Sequence, residues 1–339
     1  MKILVTGGLG FIGSHTVVEL QNKGYDVVII DNLSNSNIKV LFGIEKISGI
    51  RPHFEQFDLK DKKLVQNFFD KYDDIGGIIH FAASKAVNES VILPLKYYEN
   101  NIHTLVYLLQ EMKERNLQNF IFSSSCTVYG EPDKLPITEE ESIKPALSAY
   151  GYTKQAGETI LSDVARAHDI KTIALRYFNP IGAHPTAFIG ELPLGVPQNL
   201  IPFVTQTAAG IREQLSVFGD DYPTEDGTAI RDYIHVVDLA KSHVVALERL
   251  LNNNHKSNFE IFNIGTGRGS SVMEIINTFE KVNNLKLNYK IAPRREGDVV
   301  AVWADTTLAE TELGWKAELT MEDALRDAWN WQKKLSEID

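Results

Sequence analysis

The chain has 339 residues and is 43% hydrophobic, enough to bury a full core and to hold more than one domain. With 45 acidic against 34 basic residues the net charge is −11, which repels a phosphate backbone and argues against nucleic acid as a partner. The single cysteine, Cys126, excludes an intrachain disulfide framework and suits a reducing compartment.

The first half alternates short β-branched runs with helix-period segments, the pattern of βαβ units around a parallel sheet. Strands are predicted over Lys2–Thr6, Asp26–Asp31, His53–Phe57, Gly77–Phe81, Asn119–Ser123 and Lys171–Arg176. Their near-continuous apolar character suits strands covered on both faces. Helices are predicted over Ser14–Lys23, Lys62–Asp70, Ile102–Arg115 and Tyr150–Ala167, with Ser14 as an N-cap and Gly24 as a stop. From about Asn179 proline and glycine crowd the chain to Pro202, which predicts irregular surface structure. "IHVVDLAKSHVVALERLL" then reads as a helix and "NFEIFNIG" as a strand. Helices over Ser271–Val282 and Met321–Leu335 complete the pattern.

The expected fold is α/β: a doubly wound (Rossmann) parallel sheet with a smaller, discontinuous C-terminal substrate domain. Residues 1–179 with about 235–264 form the first unit, and about 180–234 with 265–339 the second. The first strand begins so early that no leader is expected, and no apolar run approaches bilayer length. A soluble cytoplasmic protein is the expectation, with no membrane partner. Asn88-Glu89-Ser90 matches a glycosylation acceptor by coincidence of spacing.

"ILVTGGLGFIGSH" follows the first strand and spaces Gly7, Gly10 and Gly13 three apart before a helix. Glycines permit a tight turn and close approach, while the helix start directs free N–H groups at an anion, so the loop reads as a pyrophosphate cradle. The second strand ends in Asp31, 18 residues after Gly13, where a carboxylate accepts from a ribose 2′-hydroxyl and repels a 2′-phosphate. NAD is therefore expected rather than NADP.

"SAYGYTKQAGE" sets Tyr150 and Lys154 four apart on one helical face, with Tyr152 pointing elsewhere. A free tyrosine titrates near ~10. A nearby ammonium, helped by the charge of an oxidised nicotinamide, favours the phenolate. "FSSSCTVYG" ends a predicted central strand, where open α/β sheets bind ligands, and offers Ser125 to a sugar hydroxyl whose proton Tyr150 moves. "NIGTGRGSS" (Asn263–Ser271) is a second strand–glycine–helix junction; lacking a following strand and acidic residue, it reads as a crossing between units. Glu139–Glu141 reads as a solvated face.

T-G-G-x-G-F-I-G-S, "FSSSCTVYG", Y-x-x-x-K and "RYFNPIG" together resemble the extended short-chain dehydrogenase/reductase family. "DNLSNS", "FAASKAVNES", "TEDGTAIRDYIHV" and "RREGDVVAVWAD" narrow the resemblance to those members that invert C4 of UDP-hexoses. The resemblance implies Tyr150 as the base on the sugar 4-hydroxyl, Lys154 as its tuner and ribose anchor, and Ser125 as its assistant. It implies cofactor contacts at Gly7, Gly10, Phe11, Ile12, Gly13, Asp31, Asn32, Leu33, Ser34, Asn35 and Ser36. Further contacts are Asp58 (adenine), Leu59, Phe81, Ala82, Ala83, Ser84, Lys85, Asn100, Tyr150, Lys154 and Phe178. UDP-sugar contacts are implied at Lys85, Ser125, Tyr150, Asn179, Asn199, Leu200, Phe218, Arg231, Arg295, Asp298 and Val302. Valine at 302, where members restricted to UDP-glucose and UDP-galactose carry tyrosine, implies room for an N-acetylated sugar. No metal and a homodimer are expected. Two alternatives remain: a related nucleotide-sugar 4,6-dehydratase or decarboxylase, which would carry acidic residues where Cys126 and Thr127 stand, and a non-catalytic NAD sensor.

Overall fold

The structure is a computed structural model that describes residues 1–295 and 298–338, with the last helix's side chains to 335. Residues 296 and 297, inside the "RREGDVVAVWAD" motif, lie outside it.

The first half builds β1 (Lys2–Thr6), α1 (Phe11–Asn22), β2 (Asp26–Asp31), α2 (Val40–Ser48), β3 (His53–Gln56), α3 (Lys62–Lys71) and β4 (Ile75–His80). It continues through α4 (Val87–Ile92), α5 (Pro94–Arg115), β5 (Asn119–Ser123), α6 (Ala149–Ala167), β6 (Lys171–Tyr177) and β7 (Asn179–Ile181). The later chain adds α7 (Leu200–Ala208), β8 (Leu215–Phe218), β9 (Ile230–Arg231), β10 (Tyr233–His235), α8 (Val236–Leu251) and β11 (Phe259–Ile264). Last come β12 (Ser270–Ser271), α9 (Val272–Asn283), β13 (Tyr289–Ala292), β14 (Ala301–Val302) and α10 (Met321–Ile338).

Seven parallel strands form the central sheet in the order β11-β6-β5-β4-β1-β2-β3. Successive side chains leave a strand on opposite faces. Ile3 and Val5 accordingly join a core with Val17, Val18, Leu239 and Leu247 of α1 and α8, while Leu4 faces Phe68, Leu105, Leu108 and Leu161 of α3, α5 and α6. Strand order reverses between β1 and β4, opening a crevice at their carboxyl ends. Register aligns that edge: Thr6 pairs with Ile30 and His80, and His80 with Phe122. A separate apolar core gathers Ile201, Val204, Val217, Ile275, Phe279 and Leu325 from the later segments.

Several boundaries differ from expectation. α1 starts at Phe11, and Gly10, not Ser14, is its N-cap; the Ser14 hydroxyl instead donates to Phe11 O at 3.1 Å. Ile234 and His235 leave the predicted helix for β10, which pairs with β7, and His235 caps α8 by accepting Val237 N–H at 3.1 Å. The proline-rich 179–202 stretch is not wholly irregular or superficial. It holds β7 and buries Ala183 and Ile189, and Gly190 lies so close to Trp331 that a Cβ there would overlap the ring. Glu139 is not a solvated residue: it accepts Asn263 N–H at 2.7 Å, and burial raises its carboxyl.

Candidate active site

The glycine loop leaves β1 at the switch point. Gly7 has φ +67°, and a Cβ there would lie 2.8 Å from Ala82 N; a Cβ on Gly13 would overlap Gly7 O. Only bare backbone fits at these two positions. Gly10 supplies no side-chain cap, so the first-turn N–H groups of Phe11, Ile12 and Gly13 stand open at the helix start. That is the donor set and clearance a diphosphate requires.

Asp31 is buried at the end of β2. Its Oδ2 accepts Leu9 N–H at 3.1 Å, and its Oδ1 accepts Leu33 N–H at 2.9 Å and the Ser36 hydroxyl at 2.7 Å. A carboxylate has about four acceptor sites, leaving capacity for a ribose hydroxyl. Asn32 orders the same turn, accepting Ser34 N–H at 3.0 Å and donating to Asp58 Oδ2 at 3.2 Å; Asn35 is exposed beside it. Leu59 packs its side chain into the core with Val65, Phe68 and Leu105. A dinucleotide fits this set of residues.

After β4, Ala82 N–H donates to Thr6 Oγ1 at 3.3 Å, and Phe81 packs on the His243 ring at 4.6 Å. Ala83 is half-buried, and Ser84 N–H donates to Asn101 Oδ1 at 2.8 Å. Asn100 Nδ2 donates to Ser84 Oγ at 3.3 Å. Asn101 escaped the sequence reading. It bridges this loop to α6 through Thr153 Oγ1 at 3.0 Å, and a buried asparagine beside Asn100 gave no motif to find it by.

Ser148 caps α6 by accepting Gly151 N–H at 3.1 Å, which sets the phase that turns Tyr150 and Lys154 inward. Tyr152 is 52% exposed and meets Tyr98 edge-on, as expected. Lys154 Nζ lies 5.8 Å from the Tyr150 ring centroid and donates to Ser123 O at 2.5 Å. Burial lowers its ammonium to about 8, opposed by Glu158, so it still carries a proton at neutral pH. Ser125 follows β5 and caps the short turn Cys126–Tyr129 by accepting Thr127 N–H at 3.2 Å. The Tyr150 phenol feels opposing influences from the protein around it. Burial raises it above the usual tyrosine value, Tyr177 adds to that, and Ser125 pulls the other way.

The remaining predicted residues fall into three groups. Arg231 Nη2 lies 3.7 Å from Asp298 Oδ1, and parallel β9–β14 pairing sets Val302 opposite Arg231. Val302 is buried with Val128, Tyr129, Ile137 and Phe178, and half-buried Cys126 packs against them. The Arg295 guanidinium stacks 3.9 Å from the Phe218 ring centroid. Asn199 donates to Glu191 Oε1 at 2.6 Å, and Lys85 Nζ reaches the same oxygen at 3.5 Å, so Glu191 joins two predicted contacts. Leu200 opens α7 beside Asn199, and Asn179 N–H donates to Asp232 O at 3.0 Å. Among the described residues, no cluster of His, Cys, Asp or Glu could hold a metal, and no helix is long and apolar enough to cross a membrane.

A dinucleotide cradle at the switch point and a paired tyrosine and lysine below a strand-end serine define the class: an extended short-chain dehydrogenase/reductase. The family model for GDP-mannose 4,6 dehydratase matches residues 4–328. The UDP-glucose 4-epimerase of Haemophilus influenzae is 49% identical over 334 residues, covering 98% of each chain. The UDP-glucose 4-epimerase of Stenotrophomonas maltophila, solved with NAD and formylated UDP-arabinopyranose, superposes with TM-score 0.96 at 45% identity over 100% of both chains. That of Bifidobacterium longum, solved with NAD+ and UDP, gives 0.93 at 46% over 98% of each. The chain belongs to the UDP-glucose 4-epimerase family.

Proposed function

We propose that this protein inverts C4 of UDP-hexoses, interconverting UDP-glucose and UDP-galactose through a transient 4-keto sugar with NAD as resident cofactor. The observation that carries the reading is Tyr150, Lys154 and Ser125 converging at the carboxyl end of β5, beside an open glycine cradle. When bound, NAD supplies a reversible hydride acceptor. The first-turn N–H groups of α1 hold its diphosphate and Asp31 its ribose, while Lys154 anchors the nicotinamide ribose. Tyr150 Oη takes the 4-hydroxyl proton as C4 loses hydride, and Ser125 steadies that hydroxyl. After the 4-keto sugar turns over, hydride returns to the opposite face and the same oxygen returns the proton. Burial raises the phenol, and the positive charge of the oxidised ring works with the Lys154 ammonium in the opposite direction.

Residues 1–179 with about 235–264 carry the cofactor in this reading, and about 180–234 with 265–339 the UDP-sugar. Arg231 and Arg295 bind diphosphate oxygens as forked donors. A dehydratase would need acids beside Ser125; Thr127 is not one, and burial pushes the Cys126 thiol up to about 12. Incubation of purified protein with UDP-galactose tests the proposal: UDP-glucose should accumulate. Loss of the 6-hydroxyl would mean a dehydratase, and bound NAD without turnover a sensor.

Valine at 302 leaves out an aromatic ring's volume, so UDP-GlcNAc and UDP-GalNAc are accepted too. Val302→Tyr should suppress UDP-GlcNAc turnover at least about tenfold while sparing UDP-glucose. Equal loss on both substrates would refute the selectivity. The protein is also proposed to be a cytoplasmic homodimer. Ile92, Leu95 and Tyr152 are 77%, 78% and 52% exposed on α4, α5 and α6, an apolar surface for a second copy. Light scattering should give twice the 38.0 kDa chain mass, and Leu95→Glu should give the monomer. A monomeric parent would contradict this.

A further inference from the structure

The second glycine junction is an anion cradle, and its anion is part of the chain. Asp232 is fully buried. Its Oδ1 accepts Thr266 N–H at 2.9 Å and the Thr266 hydroxyl at 2.6 Å; its Oδ2 accepts Gly267 N–H and Ala304 N–H, each at 3.2 Å. Gly265 is bare because a Cβ there would lie 2.5 Å from Asp232 Oδ2. The backbone of Asp232 extends the arrangement: its N–H donates to Val302 O and its carbonyl accepts Asn179 N–H, both at 3.0 Å. One residue thus ties β9, the 265–267 loop, β14 and β7 together.

We propose that Asp232 is a positioning residue for UDP-sugar binding, fixing the spacing of Asn179, Arg231 and Val302. The inference rests on the reading that those three contact the UDP-sugar. A carboxylate is the group the cradle requires. Thr266, Gly267 and Ala304 all present backbone donors, so an asparagine amide nitrogen would face an N–H in either orientation. The loop then shifts to relieve the clash, β14 moves with it, and the distance from Arg231 to Val302 changes. Asp31 and the α1 cradle share none of these hydrogen bonds, so they should be left undisturbed.

The experiment compares Asp232→Asn and the milder Thr266→Val with the parent by UDP calorimetry, steady-state kinetics on UDP-galactose, and NAD content of the purified protein. Asp232→Asn should weaken UDP binding and raise KM about tenfold, as an unsatisfied buried polar group does, with kcat and NAD content nearly unchanged. Thr266→Val, which removes the hydroxyl donated to Asp232 together with its longer bonds to the Arg268 backbone but keeps the Thr266 N–H, should shift KM in the same direction by a few fold. It decides the question if the first variant does not fold. Unchanged UDP affinity beside a parent that binds UDP would overturn the inference, as would a parallel fall of kcat, affinity and NAD content. A parent that does not bind UDP would overturn the functional reading and this inference with it.

Discussion

Tyr150→Phe should lower kcat on UDP-galactose about a thousandfold while leaving UDP affinity and melting temperature close to the parent's. General acid–base groups contribute about 10²–10⁴-fold, and here one oxygen both removes and restores the proton. The substitution removes a single hydroxyl from a ring that is 9% exposed and keeps its contacts on α6. Tyr152→Phe, two residues on and turned away from the site onto Tyr98, should change kcat by less than about twofold. Equal rates for the parent and Tyr150→Phe would remove the base from the mechanism.

The second large effect is on stability. Glu158 and Arg176 form an ion pair with side chains 5% and 2% exposed, bonded at 2.9 Å through Nε and 2.5 Å through Nη2. Glu158 also accepts the Ser124 hydroxyl at 2.5 Å, so the pair braces the residue before Ser125. Glu158→Leu leaves a buried guanidinium with no counter-charge and should cost about 3–5 kcal/mol. Glu158→Leu/Arg176→Leu, which removes both charges and packs hydrocarbon in their place, should recover most of that loss. The double-mutant cycle in thermal melts checks it; additive losses would mean that the pair does not act as a unit.

Legibility divides along contact range. The central strands, the carboxyl edge and the Tyr150/Lys154 face were readable because local runs such as Ile3–Val5 and a four-residue spacing specify them. Tertiary contacts set what was missed. His235 ends a β-strand because β7 pairs with it, although its apolar neighbours continue the helical period of α8. The helix α2 went unread in part because Gly43 weakens its pattern; a Cβ there would overlap Phe188 O, far along the chain. Glu158, Arg176, Asp232 and Glu139 look like solvent-facing charges in sequence, since their partners are brought in by folding. Around the candidate site, short motifs carry the proposed positions, whereas Asn101 and Glu191 join them through hydrogen bonds that no local spacing reveals.

The most direct test is to convert UDP-galactose carrying deuterium at C4 and locate the label in the product. The account predicts UDP-glucose with deuterium retained at C4, because that hydrogen travels to the bound cofactor and back without meeting water. Replacement of the label by solvent hydrogen at C4 would contradict it.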